Sequence, residues 1–241
     1  IRTNADKSEK CVLGLATGSS PIKLYEELVR MHREEGLSFK NVVSFNLDEY
    51  LPMPKESEQS YHYFMHHHLF DHIDIDPKNI HIPDGTLKAE EIENFCKEYE
   101  RQIEAAGGID IQVLGIGRTG HIGFNEPGSP LTSKTRMVYL DDLTIKDAAG
   151  DFGGMENVPS RAITMGVGTI MKARKVILLA WGEKKASIIK ATVEGSVSDA
   201  VPATFLQVHP NVQFVIDESA AEELTRANQP WLVSKVQWND K

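Results

Sequence analysis

Two short segments of this 241-residue chain carry side chains fit for proton transfer, and two more carry groups fit to hold an anion. Asp48 and Glu49 close the apolar run Val42–Leu47. Like charges at the end of a buried strand push a carboxyl toward the range of a general acid or base. The plainer alternative is a solvated loop in which Asp48 caps the next turn. His121 and Glu126 share the glycine-rich segment 115–127, where an imidazole beside a carboxylate can exchange protons near neutral pH. The alternative there is a surface loop whose histidine bonds its own backbone.

The anion-holding groups lie elsewhere. In Thr17-Gly18-Ser19-Ser20-Pro21, Gly18 lets backbone approach a ligand, Ser20 is a good helix N-cap, and Pro21 is preset for the first helical position. Free N–H groups there, with three hydroxyls, would cradle an anion, or else merely start an ordinary capped helix. Lys184 and Lys185 open a second expected helix, where cations oppose the macrodipole at about 0.3–1 kcal/mol each. An anion shared with the Thr17–Ser20 loop removes that penalty; otherwise both lysines point to solvent.

Two further patterns are set aside. Residues 115–120 match the G-x-G-x-x-G dinucleotide fingerprint, with Asp141 and Asp142 about 20 residues on. That fingerprint must open a helix, and the glycines and prolines of 121–130 cannot, so no dinucleotide cofactor is expected. His62, His66, His67, His68 and His72 include pairs with metal-ligand spacing, but no cysteine lies near and no metal is expected. The acidic run Glu90–Glu104 reads as the solvated face of a helix.

The elements that must position these loops show as an alternation. Apolar runs rich in β-branched residues fall at Cys11–Ala16, Val42–Leu47, Ile109–Ile116, Lys175–Trp181 and Val212–Ile216. Between them, Pro21–Glu35 gathers Leu24, Leu28 and Met31 on one face, and Ala89–Ala106 gathers Ile92, Phe95, Cys96, Tyr99 and Ile103. Helices are also expected over Ser60–His72 and Lys184–Glu194, the latter closed by Gly195. The pattern predicts an α/β fold with a mostly parallel sheet covered on both faces, and ligands at the carboxyl ends of the strands. No repeat or linker interrupts it, so residues 1–241 read as one domain. Both ends look incomplete. The first strand starts right behind the charged stretch Asp6–Lys10, and the tail from Asn228 carries Trp231, Leu232, Val233 and Trp238. That tail either folds back onto the domain or marks a cut inside a longer protein.

Composition narrows the function. A 41% hydrophobic, 25% charged chain can bury a sizeable core. With 26 Lys+Arg against 35 Asp+Glu, the net charge of −9 suits no nucleic-acid backbone, so an anionic substrate must find its positive charge locally. No apolar run reaches the ~20 residues of a membrane span, and no signal peptide opens the chain. Two cysteines, Cys11 and Cys96, make no disulfide framework, which fits a reducing cytoplasm.

The four loops, in this order, resemble the glucosamine-6-phosphate deaminase family. LGLATGSSP (13–21), NLDEY (46–50), SYHYFMHHHLFDHIDI (60–75), LGIGRTGHIGFNEPGS (114–129), TMGVGT (164–169), KKASIIKATVEG (184–195) and LQVHP (206–210) carry the resemblance. It implies the three-layer, modified Rossmann-like α/β sandwich of the sugar-phosphate isomerases and phosphogluconolactonases. It implies a hydrolase acting on an amino-sugar phosphate in N-acetylglucosamine utilisation: glucosamine 6-phosphate and water give fructose 6-phosphate and ammonia. Asp48 resembles the base that moves a proton between C2 and C1, and His121, partnered by Glu126, the group that opens the sugar ring. Thr17, Gly18, Ser19, Ser20 and Lys185 would hold the phosphate, with Glu49 and Gly117 completing the substrate site. No metal or cofactor is implied, since ring opening, enolisation and loss of ammonia are proton transfers.

Three positions depart from the family pattern. Thr119 stands in the catalytic loop where many members have Asp, and Ala148–Asn157 offers no counterpart to an arginine that members use on the phosphate. Arg136-Met137-Val138 lacks the lysine of the Arg-x-Lys effector segment, so activation by N-acetylglucosamine 6-phosphate is not expected. The expected partners are a small sugar phosphate and, at most, further copies of the chain in a homo-oligomer. One competing reading is a 6-phosphogluconolactonase, whose loop carries Asp-Gly-His-Thr before a Ser-Leu-Phe-Pro run. Another is a sensing module, which needs the phosphate cradle but not the set Asp48, His121 and Glu126.

Overall fold

The computed structural model describes residues 1–225, so the tail with Trp231, Leu232, Val233 and Trp238 lies outside the described residues. The chain opens with α1 (Arg2–Asp6), β1 (Cys11–Leu15), α2 (Ile22–Glu35), β2 (Val42–Asn46), β3 (Asp48–Leu51), α3 (Tyr61–His68), β4 (Ile80–His81) and α4 (Ala89–Ala105). It continues with β5 (Ile111–Leu114), β6 (Arg136–Tyr139), α5 (Asp142–Ala148), β7 (Arg161–Thr164), α6 (Val167–Ile170), β8 (Lys175–Ala180), α7 (Ala186–Glu194), β9 (Val212–Ile216) and α8 (Glu218–Ala221).

Six strands form one sheet in the order β4-β2-β1-β5-β8-β9, every pairing parallel. Alternate residues along each strand feed two cores. Val12, Val43, Phe45, Leu114, Val176 and Leu178 pack with Tyr99 and Ile103 of α4 and Ile189 of α7. Cys11, Leu13, Leu15 and Val42 pack with Tyr25 and Val29 of α2 and Met65 of α3. The strands are therefore buried on both faces, which is why they read as unbroken apolar runs, and the molecule has three layers. Each large side chain buried fully in these layers contributes about 1.5–3 kcal/mol.

A second sheet, β3-β7-β6, is antiparallel and was not foreseen from the sequence. It sets Asp48 opposite Thr164 on one side and Arg136 opposite Thr164 on the other. Ile92 and Cys96 of α4 pack on its Leu51 and Ile163.

Several element ends differ from expectation. Helix α2 begins at Ile22 behind Pro21, and no side chain caps it, so Ser20 is not its N-cap. The two lysines occupy a 3-10 turn, Glu183–Lys185, ahead of α7. Gly195 ends α7 in an extended conformation (φ −76°), not a left-handed cap; a Cβ there would lie 2.3 Å from the Ala191 carbonyl oxygen. The helix expected to reach His72 stops at His68 and gives way to a 3-10 turn.

Candidate active site

From β1 the chain builds outward through β2 to β4, then returns to the other side of β1 with β5, β8 and β9. Such a reversal leaves a crevice at the carboxyl ends of the central strands, the place where open α/β sheets bind ligands. A cleft of about 220 Å³ lies there. Its walls include Thr17, Gly18, Ser19 and Ser20 after β1, Asp48 after β2, Gly115, Ile116, Gly117 and His121 after β5, and Lys185 before α7. This is below the ~300–1,000 Å³ of drug-sized sites and suits a small polar molecule, not a dinucleotide. No helix follows Gly120 until α5, so the fingerprint there has no helix N-terminus to offer.

One end of the cleft is a cradle of backbone. Gly18 has φ +88°, a conformation open to glycine at little cost, and its turn exposes the N–H groups that follow. The N–H groups of Gly18, Ser19 and Ser20 have no hydrogen-bond partner among the described residues. The Trp181 indole N–H donates to the Ser20 carbonyl at 2.9 Å and pins the turn. Lys185 is half-buried, its Nζ donating to the Ile116 carbonyl at 2.7 Å, and desolvation lowers its pKa. Lys184 is exposed. The helix-start lysines thus divide, and only Lys185 faces the cleft.

The Asp48–Glu49 pair also divides, because successive residues of β3 point to opposite sides. Asp48, only 5% exposed, lines the cleft. Burial, reinforced by the neighbouring Glu49 charge, pushes its carboxyl up to about 8. Glu49, expected among the substrate-binding residues, turns away and binds backbone instead. Its oxygens accept N–H bonds from Tyr50 at 2.9 Å, Tyr61 at 3.0 Å and His62 at 2.9 Å, so it caps the N-terminus of α3 from a neighbouring strand. Burial raises its pKa to about 7 against the pull of those three donors.

His121 and Glu126 meet. Nδ1 of His121 lies 3.0 Å from Glu126 Oε2 and 3.0 Å from Thr119 Oγ1, and the Thr119 hydroxyl donates to the same carboxylate oxygen at 3.2 Å. Thr144, at the start of α5, donates to Glu126 Oε1. Burial works to raise the Glu126 pKa, but hydrogen bonds from His121, Thr144 and Thr119, with the His121 charge, together hold it below its ordinary value. An ionised Glu126 fixes the proton on Nδ1 and leaves Nε2 as the basic nitrogen. The imidazole ring lies over Gly117, where a Cβ would sit 2.0 Å from Nε2. Gly117 thus serves by having no side chain.

Two residues of this neighbourhood escaped sequence analysis. Tyr61 lines the cleft, and its ring stacks on Phe124 with centroids 5.9 Å apart. Its sequence signal is its place at the start of the helix capped by Ser60, inside the segment 60–75 that carries the family resemblance. Thr144 sits 18 residues beyond Glu126 and has no sequence signal at all. Two histidines of the cluster are engaged locally: His66 Nδ1 of α3 lies 2.8 Å from Asp71, and Nε2 of His72, in the following 3-10 turn, lies 2.8 Å from the His67 carbonyl. Among the described residues no three His, Cys, Asp or Glu side chains are placed to hold a metal, and no helix is long and apolar enough to cross a membrane.

Residues 1–215 match the family described as glucosamine-6-phosphate isomerases/6-phosphogluconolactonase. The chain is 56% identical over 214 residues to a glucosamine-6-phosphate deaminase of Shewanella woodyi, covering 89% of this chain and 80% of that one. It is 51% identical over all 241 residues to a glucosamine-6-phosphate deaminase-like protein of Bacteroides thetaiotaomicron, of whose length it spans 36%. A solved structure described as a monomeric glucosamine-6-phosphate deaminase superposes with a TM-score of 0.87 at 41% identity, covering 92% of each chain. With a fold, a loop order and relatives that agree over nearly its whole length, this chain belongs to the glucosamine-6-phosphate isomerase/6-phosphogluconolactonase family.

Proposed function

We propose that the chain is a glucosamine-6-phosphate deaminase, converting glucosamine 6-phosphate and water to fructose 6-phosphate and ammonia. One observation carries this reading: Asp48 and His121, with Glu126 behind it, line the same small cleft that Thr17–Ser20 and Lys185 close. The phosphate sits against the N–H groups of Gly18, Ser19 and Ser20 and the Lys185 ammonium. Nε2 of His121 takes the proton of the C1 hydroxyl and returns it to the ring oxygen, opening the pyranose. Asp48 then removes the C2 proton while a proton of the C2 ammonium passes to O1, giving an enolamine. Asp48 delivers its proton to C1, leaving an iminium at C2. Water adds to that carbon and ammonia leaves, so one water is consumed per turnover. The balance is hydrolytic, but the carbon chemistry is that of an isomerase. Lactone hydrolysis needs no base at C2, and a sensor needs neither base, so both alternatives leave Asp48 unused.

The same reading places the enzyme in amino-sugar catabolism fed by N-acetylglucosamine, in a reducing cytoplasm. The support for the compartment is the free, buried state of Cys11 and Cys96. Ammonia and fructose 6-phosphate measured together on glucosamine 6-phosphate test the activity. Stoichiometric release is expected, and binding without release, or turnover of 6-phosphogluconolactone instead, would overturn it. Within this scheme Lys185→Ala should raise KM about tenfold or more with kcat little changed, because a charge-assisted phosphate contact is worth roughly 1.5–3 kcal/mol. An unaltered KM would move the phosphate elsewhere.

A further inference from the structure

The loop that carries His121 and Glu126 has neither helix nor strand between β5 and β6, apart from a single bridge from Ile122 to Asn125. Local backbone bonds, such as Ser129 N–H to the Glu126 carbonyl at 3.0 Å, shape its turns, and side chains tie those turns to the rest of the fold. Asn125, fully buried, donates through Nδ2 to the carbonyls of Ile122 and Met165 at 2.8 Å each. Its Oδ1 accepts Arg136 Nη1 at 2.9 Å, and Nη2 of the same guanidinium donates to Ser129 Oγ at 3.1 Å. These two acceptors flank Glu126 in the chain. Arg136 itself stands on β6, which pairs with β7, and β7 pairs in turn with β3 and Asp48. One planar fork thus ties both sides of Glu126 to the sheet that carries Asp48.

The arrangement is not one that stability alone selects. Arg136 is half-buried, and among the described residues no carboxylate lies within ion-pair distance of it. A cation desolvated against neutral acceptors is costly, and a lysine's point charge cannot match a fork aimed at two oxygens. We infer that Arg136 is a positioning residue that holds Glu126, through Asn125 and Ser129, against Nδ1 of His121, and so sets the rate of ring opening. This rests on the deaminase reading above.

The test compares ammonia release by wild type, Arg136→Ala, Arg136→Lys and Ser129→Ala, with circular dichroism melts of each. For Arg136→Ala, kcat should fall about 30-fold or more with KM within about threefold, Arg136→Lys should recover little, and Ser129→Ala should lose about threefold in kcat. Added guanidinium should restore Arg136→Ala at least about fivefold and leave Asp48→Asn unchanged. A folded Arg136→Ala with wild-type kcat, a loss confined to KM, or no rescue by guanidinium would each overturn the inference. If Arg136→Ala does not fold, wild-type kcat in both Arg136→Lys and Ser129→Ala overturns it. A wild type that releases no ammonia instead overturns the proposed activity, so the two failures are distinguishable.

Discussion

Asp48→Asn is expected to reduce kcat by about 10³–10⁴-fold while making the folded chain more stable at alkaline pH. The activity loss follows from removing the base that carries a proton from C2 to C1. The stability gain follows from burial, which pushes the Asp48 carboxyl up to about 8 from 3.8. The folded chain therefore holds this proton more tightly than the unfolded one. The group's stabilising contribution is complete below 3.8 and is lost as pH rises through about 8. An amide has no charge to desolvate, so the variant escapes that loss, which is on the order of a few kcal/mol at pH 9. Thermal melts from pH 5 to 9 should show the wild type weakening with pH more steeply than Asp48→Asn. The wild-type kcat/KM should fall about tenfold per unit below pH 8 as the base gains its proton. A variant less stable than wild type at pH 9 would contradict this placement of the charge.

Glu126→Gln is expected to lower kcat by about 10²–10³-fold with KM little altered. When Nε2 of His121 takes a proton, the ring becomes an imidazolium whose Nδ1–H points at Glu126. An ionised carboxylate stabilises that cation, whereas an amide cannot, and its NH2 would face hydroxyls that now donate to the carboxylate. Thr119 offers only a hydroxyl, so no second carboxylate compensates. Thr119→Asp supplies one, which favours the protonated imidazole and moves the pH profile of kcat/KM toward alkaline values. Substantial activity in Glu126→Gln, or an unmoved profile in Thr119→Asp, would show that ring opening proceeds without this pair.

The parallel sheet was legible because its strands are buried on both faces and so read as continuous apolar runs, Cys11–Leu15 being buried throughout. The antiparallel sheet was not. Strand β3 begins with two carboxylates, β6 is only half-buried, and their pairing with β7 joins residues more than twenty positions apart. None of that leaves a local periodicity. The same gap explains Glu49. Taken as a loop, Asp48 and Glu49 can both face a ligand; once they lie in a strand they cannot. Ser20 looked like a cap because of its type and the following proline, yet the turn holding the exposed N–H groups takes one residue more before the helix begins. The His121–Glu126 pair was legible from five-residue spacing in a glycine-rich loop. The supports from Thr144 and Arg136 were not, since they reach the loop from elements that only the folded chain brings near.

The central claim, that Asp48 moves the proton between C2 and C1, is tested most directly by exchange of solvent deuterium. Fructose 6-phosphate is incubated with ammonium in D2O, and label at C1 is followed by NMR for wild type and Asp48→Asn, with sugar-phosphate affinity measured alongside. The account predicts label at one C1 position with wild type, and none above the uncatalysed rate with Asp48→Asn, at similar affinity. Incorporation by Asp48→Asn at the wild-type rate would contradict it.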